Sequence, residues 1–179
     1  MAESTPTAAE KATTRGPKKQ FLEALEREHQ RTMRVLRAYP EDKANLRPHE
    51  RSGTARELAW IFVLGQNLMT KALTTGFDWS NPSGGPPAAP ATMKEIVDAA
   101  EEAHRRLVET LQGMDESRLD ETVQFFVGPK TLGEYTKLGF LEMILFDHVH
   151  HRGQLSVYLR MAGAKVPSIY GPSADEPWR

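Results

Sequence analysis

This sequence predicts an all-α fold, a four-helix bundle with one long crossover loop, and three observations lead to that class. Four segments place apolar residues three and four positions apart, as amphipathic helices do. The motif Thr-x-x-Glu, which caps helix starts, opens three of them. The one strand-like stretch, QFFVG at residues 124–128, has no partner strand in the sequence pattern, and a lone strand is not stable.

The first helix has a clear stop signal, and the second has both a start and a stop signal. Residues 18–39 have the amphipathic spacing of a helix, and Pro40 ends it. The second helix opens on a capping box formed by Thr54 and Glu57, in which a side-chain oxygen and a carboxylate satisfy free N–H groups. It is expected to close at Gly76, because glycine readily ends a helix.

The crossover loop and the last two helices follow. Residues 77–90 contain four prolines and two glycines, so this segment is neither helix nor central strand. The third helix begins with the capping box at Thr92 and runs to about Gln112. A third box at Thr131 opens the last helix, which is expected to reach about Ala162, with a break near Gly139 left open.

Length, charge and composition limit the domain organisation and the partners. A chain of 179 residues predicts a single domain, placed at residues 19–179 after a disordered tail at residues 1–18. With 23 basic and 24 acidic residues, the chain has no large field to attract nucleic acid or an anionic membrane. Because cysteine is absent, disulfides and thiolate metal sites are excluded. We expect a soluble, cytoplasmic protein that acts on small molecules.

The segment FDHVHHRGQLSVYLR, residues 146–160, contains three of the six histidines. If His151 defines the inward direction of this helix, Asp147, Gln154 and Tyr158 fall within about 60° of it, among apolar residues. A buried carboxylate and imidazole need a partner or a cation. Asp147 and His151 at i and i+4 are good ligands for zinc or nickel. The spacing alone, however, favours a simple hydrogen-bonded pair.

A family resemblance shifts this balance towards metal binding. DHVHHRGQLSVYLR, followed by VPSIYGPSADE, resembles the last helix and exit segment of the DinB-like (damage-inducible protein) superfamily, and the likeness covers residues 20–173. Thiol-dependent S-transferases and mycothiol-dependent maleylpyruvate isomerases share that metal-binding bundle. The resemblance implies a divalent metal held by one histidine on the second helix and by a pair on the last, here Asp147 and His151.

The second-helix ligand is missing from this sequence. The family motif reads like ELAxH, whereas this chain has Glu57-Leu58-Ala59-Trp60-Ile61, with isoleucine at the histidine position. His29, in the centre of the apolar stripe of the first helix, is the substitute ligand that we consider. An inward histidine is more often a core residue than a ligand. The metal site therefore has a replacement ligand, or it has weakened or been lost.

Two classes of function stay open. In the first, the protein is a metal-dependent transferase or hydrolase that uses a low-molecular-weight thiol or water, and Gln154 and Tyr158 line the pocket for thiol or substrate. In the second, it is a non-catalytic bundle that serves as a stress-response or binding module, with Asp147 and His151 as a structural pair. Pairing into a homodimer is also considered, and Tyr170 is expected either to cover the pocket or to lie in that interface.

Overall fold

A computed structural model describes residues 16–80 and 85–178. In these residues the chain forms four α-helices, α1 (Pro17–Ala38), α2 (Ala55–Leu73), α3 (Met93–Gly113) and α4 (Lys137–Met161). Two strands, β1 (Thr122–Gly128) and β2 (Thr131–Thr136), lie between α3 and α4. Short 3-10 turns at Glu41–Lys43 and Glu116–Asp120 follow α1 and α3. The predicted helical class is confirmed for the main body of the chain.

The predicted N-terminal tail falls largely outside the described residues, which begin at residue 16. Helix α1 starts at Pro17, so residues 17 and 18 are helical and the predicted boundary at 18 lies slightly too far along the chain. Proline suits this position because its fixed φ matches the helix and its missing N–H would have no partner there.

The first two predicted capping boxes are confirmed. Thr54 Oγ1 accepts from the Glu57 backbone N–H at 3.2 Å, and the Glu57 carboxylate accepts from the Thr54 N–H at 2.7 Å. Thr92 and Glu95 make the same pair of bonds at 3.1 and 2.9 Å. These boxes set the starts of α2 and α3 and satisfy N–H groups that have no partner within the helix.

The all-α class holds for the helical body of the chain but not for one segment, and the third capping box is wrong. The stretch after Thr131 is strand β2, which pairs antiparallel with β1, so the QFFVG segment has a partner after all. Aromatic packing explains the difference, because Phe125 on β1 contacts Phe77 and Phe140 with ring centroids 5.2 and 4.9 Å apart. Helix α4 begins five residues later than expected, because its N-cap is Thr136 instead of Thr131. Thr136 Oγ1 accepts from Gly139 N–H at 3.0 Å, and the helix continues without a break through Gly139.

The helix directions follow from the two apolar clusters of the core. One cluster joins the end of α1, the starts of α2 and α3, and the end of α4. The other joins the start of α1, the ends of α2 and α3, and the start of α4. Helices α2 and α3 are therefore parallel neighbours, and α1 and α4 run the opposite way. A connection between parallel neighbours must travel the length of the bundle, as expected for the crossover loop.

Bonds from α2 hold the described part of this crossover loop against the bundle. Trp60 Nε1 donates to the Pro87 carbonyl at 2.9 Å, and Arg56 Nη1 donates to the Pro90 carbonyl at 2.7 Å. None of the helices in the described part of the chain combines the length and apolar character needed to cross a lipid bilayer.

A layer of buried polar side chains separates the two apolar clusters near the middle of the bundle. All four helices contribute to this polar layer, which consists of His29, Thr32, Gln66, His104, His148 and Arg152. Buried polar groups need hydrogen-bond partners to avoid a desolvation cost, so this layer constrains how the four helices can pack.

Candidate functional site

Asp147 and His151 lie one turn apart on α4, and their side chains meet. Asp147 Oδ1 is 3.3 Å from His151 Nε2, and the two side chains are 48% and 20% exposed. The pair therefore lies at the edge of the bundle instead of in the buried stripe that the sequence predicted. An edge position leaves both groups accessible to solvent and to a small molecule.

Gln154 fixes the orientation of the His151 ring. Its Oε1 atom lies 2.8 Å from His151 Nδ1, and its Nε2 atom lies 3.0 Å from His150 Nε2. An amide oxygen only accepts, so His151 Nδ1 carries the proton in this arrangement. His151 Nε2 is then the ring nitrogen that faces the carboxylate of Asp147. Two acceptors in this geometry call for a cation between them, either a proton or a metal ion.

Two apolar cavities open on either side of Ile61. The first has a volume of about 500 Å³ and is lined by Leu58, Ile61, Gln154, Val157 and Tyr158 together with the loop residues Pro48, Ser52 and Gly53 and the capping residue Glu57. The second, of about 480 Å³, lies between α2, α4 and the crossover loop, and Asp147 forms part of its wall. Gln154 and Tyr158 thus line a cavity, as the sequence analysis expected.

Tyr158 lines the first cavity and helps to fix the position of its wall. Its side chain is buried, and its hydroxyl donates to the Gly53 carbonyl at 3.2 Å. This bond ties α4 to the loop that precedes α2. The hydroxyl is therefore engaged in shaping the cavity, while Gln154 contacts the histidines directly.

His29 is not part of the Asp147–His151 pair. Its ring stacks on His104 with centroids 3.6 Å apart, and its Nδ1 atom lies 3.3 Å from Gln66 Nε2. Burial, followed by the charge of His104, lowers the pKa of His29 to about 4, so the ring is neutral at pH 7. In residues 16–80 and 85–178, no three His, Asp or Glu side chains converge as a metal site. The contacts of His29 are thus with His104 and Gln66 in the polar layer.

His148 is a buried histidine of α4. It is 5% exposed, packs edge-on against Phe62, and bonds the backbone of Ile61. Its Nε2 atom has no hydrogen-bond partner among the described residues. Burial is the main reason that its pKa falls to about 3. His148 is therefore a neutral ring that fills the space between α4 and α2.

Arg152 forms a buried network with α1 and the C-terminal segment. Its guanidinium contacts Glu28 Oε2 at 2.7 Å, donates to the Glu28 carbonyl at 3.1 Å, and donates to the Tyr170 hydroxyl at 2.6 Å. Burial acts to raise the pKa of Glu28, but hydrogen bonds from Tyr170 and Arg152 outweigh it and lower the pKa. Arg152 thus forms a salt bridge from α4 to the neighbouring helix α1.

Tyr170 packs against this arginine network. The guanidinium carbons of Arg31 and Arg152 lie 4.6 and 5.1 Å from the centroid of the Tyr170 ring. Its hydroxyl donates to Glu28 at 2.6 Å. Tyr170 thus anchors the C-terminal segment to α1 and α4, and it lines neither of the two cavities beside Ile61.

The sequence did contain a signal for the true inward face of α4. One line of buried residues on this helix recurs at alternating intervals of four and three: Leu141, Leu145, His148, Arg152, Leu155 and Leu159. Centring the helix on its leucines would have pointed to His148 and Arg152. Centring it on His151 turned the expected face by about a quarter of a turn.

Comparisons with known proteins agree on a single family. The family model described as the DinB family matches residues 9–178. The uncharacterized protein YrdA from Bacillus subtilis strain 168 is 28% identical over 158 residues, which cover 87% of this chain and 89% of YrdA.

Solved structures share the fold. A DinB-like protein from Bacillus cereus ATCC 10987 has a TM-score of 0.69 at 24% identity, covering 84% of this chain and 95% of its own. YfiT from Bacillus subtilis, described as a probable metal-dependent hydrolase with an unusual four-helix bundle topology, has a TM-score of 0.60 at 13% identity. That match covers 92% of this chain and 94% of YfiT. At these identities the likeness establishes the fold.

Proposed function

This chain belongs to the DinB family, and from that membership we propose that it binds a divalent metal ion at Asp147 and His151. The proposed activity is hydrolysis or thiol-dependent group transfer on a small molecule bound in the cavities beside Ile61. The description of YfiT as a probable metal-dependent hydrolase supports the first reaction type, and the resemblance to thiol-dependent transferases supports the second.

The observation that carries this proposal is the orientation of His151. Because Gln154 accepts from His151 Nδ1, Nε2 is the ring nitrogen that faces the carboxylate of Asp147, 3.3 Å away. An imidazole nitrogen and a carboxylate oxygen are suitable donors for zinc, nickel or manganese. A hydrogen bond to the second ring nitrogen is the usual way in which a metal-binding histidine is held. Asp147 and His151 therefore provide two of the ligands that a metal site needs.

The other half is incomplete, because Ile61 occupies the position where the family places a histidine. Catalytic zinc sites usually have three protein ligands. With two, we expect weaker binding and more coordination positions open to water or substrate. A divalent ion bound here would lower the pKa of a water or a thiol and polarise a carbonyl group.

The protein groups around the pair have separate roles in this proposal. Gln154 holds the His151 ring in its metal-binding tautomer. Ile61 provides the apolar wall shared by both cavities, so it binds the apolar part of a substrate and excludes water. Lys71 lies in the wall of the cavity that contains Asp147, where it can attract an anionic group of the substrate.

The missing ligand can be restored by a single substitution. We expect Ile61→His to tighten zinc binding by more than about tenfold, because even residues outside the ligand shell change metal affinity by that much. The measurement is a competition titration against a chromogenic zinc chelator. Leu68→His, which adds a histidine elsewhere in the wall of the second cavity, is the matched control and should leave the affinity unchanged. Equal effects of the two substitutions would contradict the assignment.

Activity provides the second part of the test. Metal-loaded wild-type protein and Ile61→His are assayed for consumption of low-molecular-weight thiols with electrophilic substrates, and for hydrolysis of ester and amide substrates. We expect turnover that requires metal and disappears in His151→Ala.

The apolar side chain of Ile61 favours one alternative, a DinB bundle that binds small molecules without catalysis. In that case, Ile61→His would gain metal while the wild-type protein takes up none. Ligand binding in the cavities would then be independent of metal.

A further inference from the structure

Helix α4 carries exposed apolar side chains along one face. Phe146, Val157 and Met161 are 70, 60 and 49% exposed. Together with His150 and Gly153 they recur every three or four residues, so the five positions form one stripe, here called the α4 stripe. Single exposed apolar residues are common, whereas a row of large ones along one helix marks an interaction surface.

Gly153, in the middle of the α4 stripe, has no packing reason within the described chain. A Cβ atom added there would meet nothing within 4 Å. Glycine inside a helix costs about 1 kcal/mol relative to alanine. Its use at this position is explained if another molecule approaches the helix closely at this point.

We propose that the α4 stripe binds the α4 stripe of a second copy of this chain, with the two helices antiparallel about a two-fold axis. The axis passes between residues 151 and 152. In this register Phe146 lies opposite Val157 of the second copy, and Gly153 lies opposite His150. In both of these pairs a larger residue faces a smaller one, as in interdigitated packing.

The positions of two charged residues on α4 support the same antiparallel register. Glu142 and Arg160 lie about 80° from His150, on the same edge of α4, and both are exposed. The two-fold axis keeps equivalent edges together, so Glu142 of one copy faces Arg160 of the other. Arg160 retains its ion pair with Asp175 of its own chain. A parallel pair would instead place Glu142 against Glu142 and Gly153 against Gly153, which leaves a like-charge contact and a void.

The dimer also borders the candidate site. Val157 belongs both to the α4 stripe and to the wall of the cavity that contains Gln154. Phe146 of the second copy, which lies opposite Val157, would form part of the rim of that cavity. The proposal does not depend on metal binding, because Asp147 and His151 lie on the other edge of α4.

Introduced cysteines test the register directly, because the chain has none of its own. The Phe146→Cys, Val157→Cys double variant should form an intermolecular disulfide under mild oxidation, giving twice the 20.1 kDa chain mass on a denaturing gel. Each single variant should cross-link far less, since equal residues lie far apart in an antiparallel pair. Efficient cross-linking of the single variants, or none in the double variant, would overturn the antiparallel register.

Oligomeric state tests the surface itself. We expect full-length wild-type protein to sediment as a dimer, and Val157→Lys to weaken association by about tenfold or more. Val127→Lys, at an exposed valine on β1 outside the stripe, is the matched control and should remain dimeric. Glu142→Arg should weaken the dimer, and the added Arg160→Glu should restore it. A monomeric wild type, or a dimer that Val157→Lys leaves intact, would overturn the proposal.

Discussion

Replacing Arg152 with alanine is expected to lower the free energy of unfolding by about 3 kcal/mol, the lower end for a broken buried ion pair, because the Glu28 carboxylate keeps only its second ionic partner, Arg31. The Arg152 side chain is 2% exposed and that of Glu28 is 14% exposed. The substitution also removes the bond to the Tyr170 hydroxyl, which holds the C-terminal segment against α1. The measurement is urea-induced unfolding followed by circular dichroism at pH 7.

Arg160→Ala is the matched control, since Arg160 sits two turns further along the same helix in an exposed ion pair with Asp175. Exposed pairs contribute less than about 1 kcal/mol, so this variant should unfold close to the wild type. In the Glu28→Gln, Arg152→Met double variant, both charges are removed, so the free energy of unfolding should fall less than in Arg152→Ala. If Arg152→Ala and Arg160→Ala lower the free energy of unfolding equally, the buried network does not stabilise the fold in the way described.

Gly65→Ala is expected to destabilise the protein by about 1–3 kcal/mol through overpacking. A Cβ atom at this position would lie 2.1 Å from His148 Nε2 and 3.0 Å from Ile144 Cγ2. His148 cannot move aside easily, because it is buried and bonds the backbone of Ile61. Thermal unfolding of the variant and the wild type measures the effect.

Gly113→Ala serves as the control, because a Cβ atom at the end of α3 meets nothing within 4 Å. It should be neutral or slightly stabilising, since alanine has the higher helix propensity. Adding His148→Ala to Gly65→Ala removes the clash, so the double variant should lose less than the sum of the two single losses. Strict additivity would show that Gly65 and His148 are not in contact.

The helices could be read from the sequence because their signals are local. A capping box such as Thr54 with Glu57 places a hydroxyl and a carboxylate three residues apart, and both bonds form within one turn of the chain. The crossover loop was equally readable, because repeated prolines cannot stand in the interior of a helix. These features depend on neighbours in sequence.

The hairpin could not be read in this way, because its stability comes from distant residues. The sequence Thr131-Leu132-Gly133-Glu134 matches a capping box, yet the segment pairs with β1, whose Phe125 packs on Phe77 and Phe140. Trp79 also donates to the Gln124 carbonyl at 2.9 Å. Tertiary packing of this kind overrides a local pattern.

The candidate site was only partly predictable. The Asp147–His151 pair follows from i, i+4 spacing on a helix, and the structure places the two side chains together. The burial of the pair does not follow from its i, i+4 spacing, because burial depends on which face of α4 the other helices cover. His29 and His148 show the same limit, since stacking on His104 and contact with Gly65 involve residues far away in the chain.

Metal content tests the central claim most directly. Untagged protein, purified without chelators and then incubated with zinc, nickel or manganese and desalted, is analysed by elemental mass spectrometry beside Asp147→Asn, His151→Ala and the control His150→Ala. We expect metal bound by the wild type and by His150→Ala, and lost from both ligand variants. A wild type that retains none of the added metals, or ligand variants that retain as much as the wild type, would contradict a metal site at Asp147 and His151.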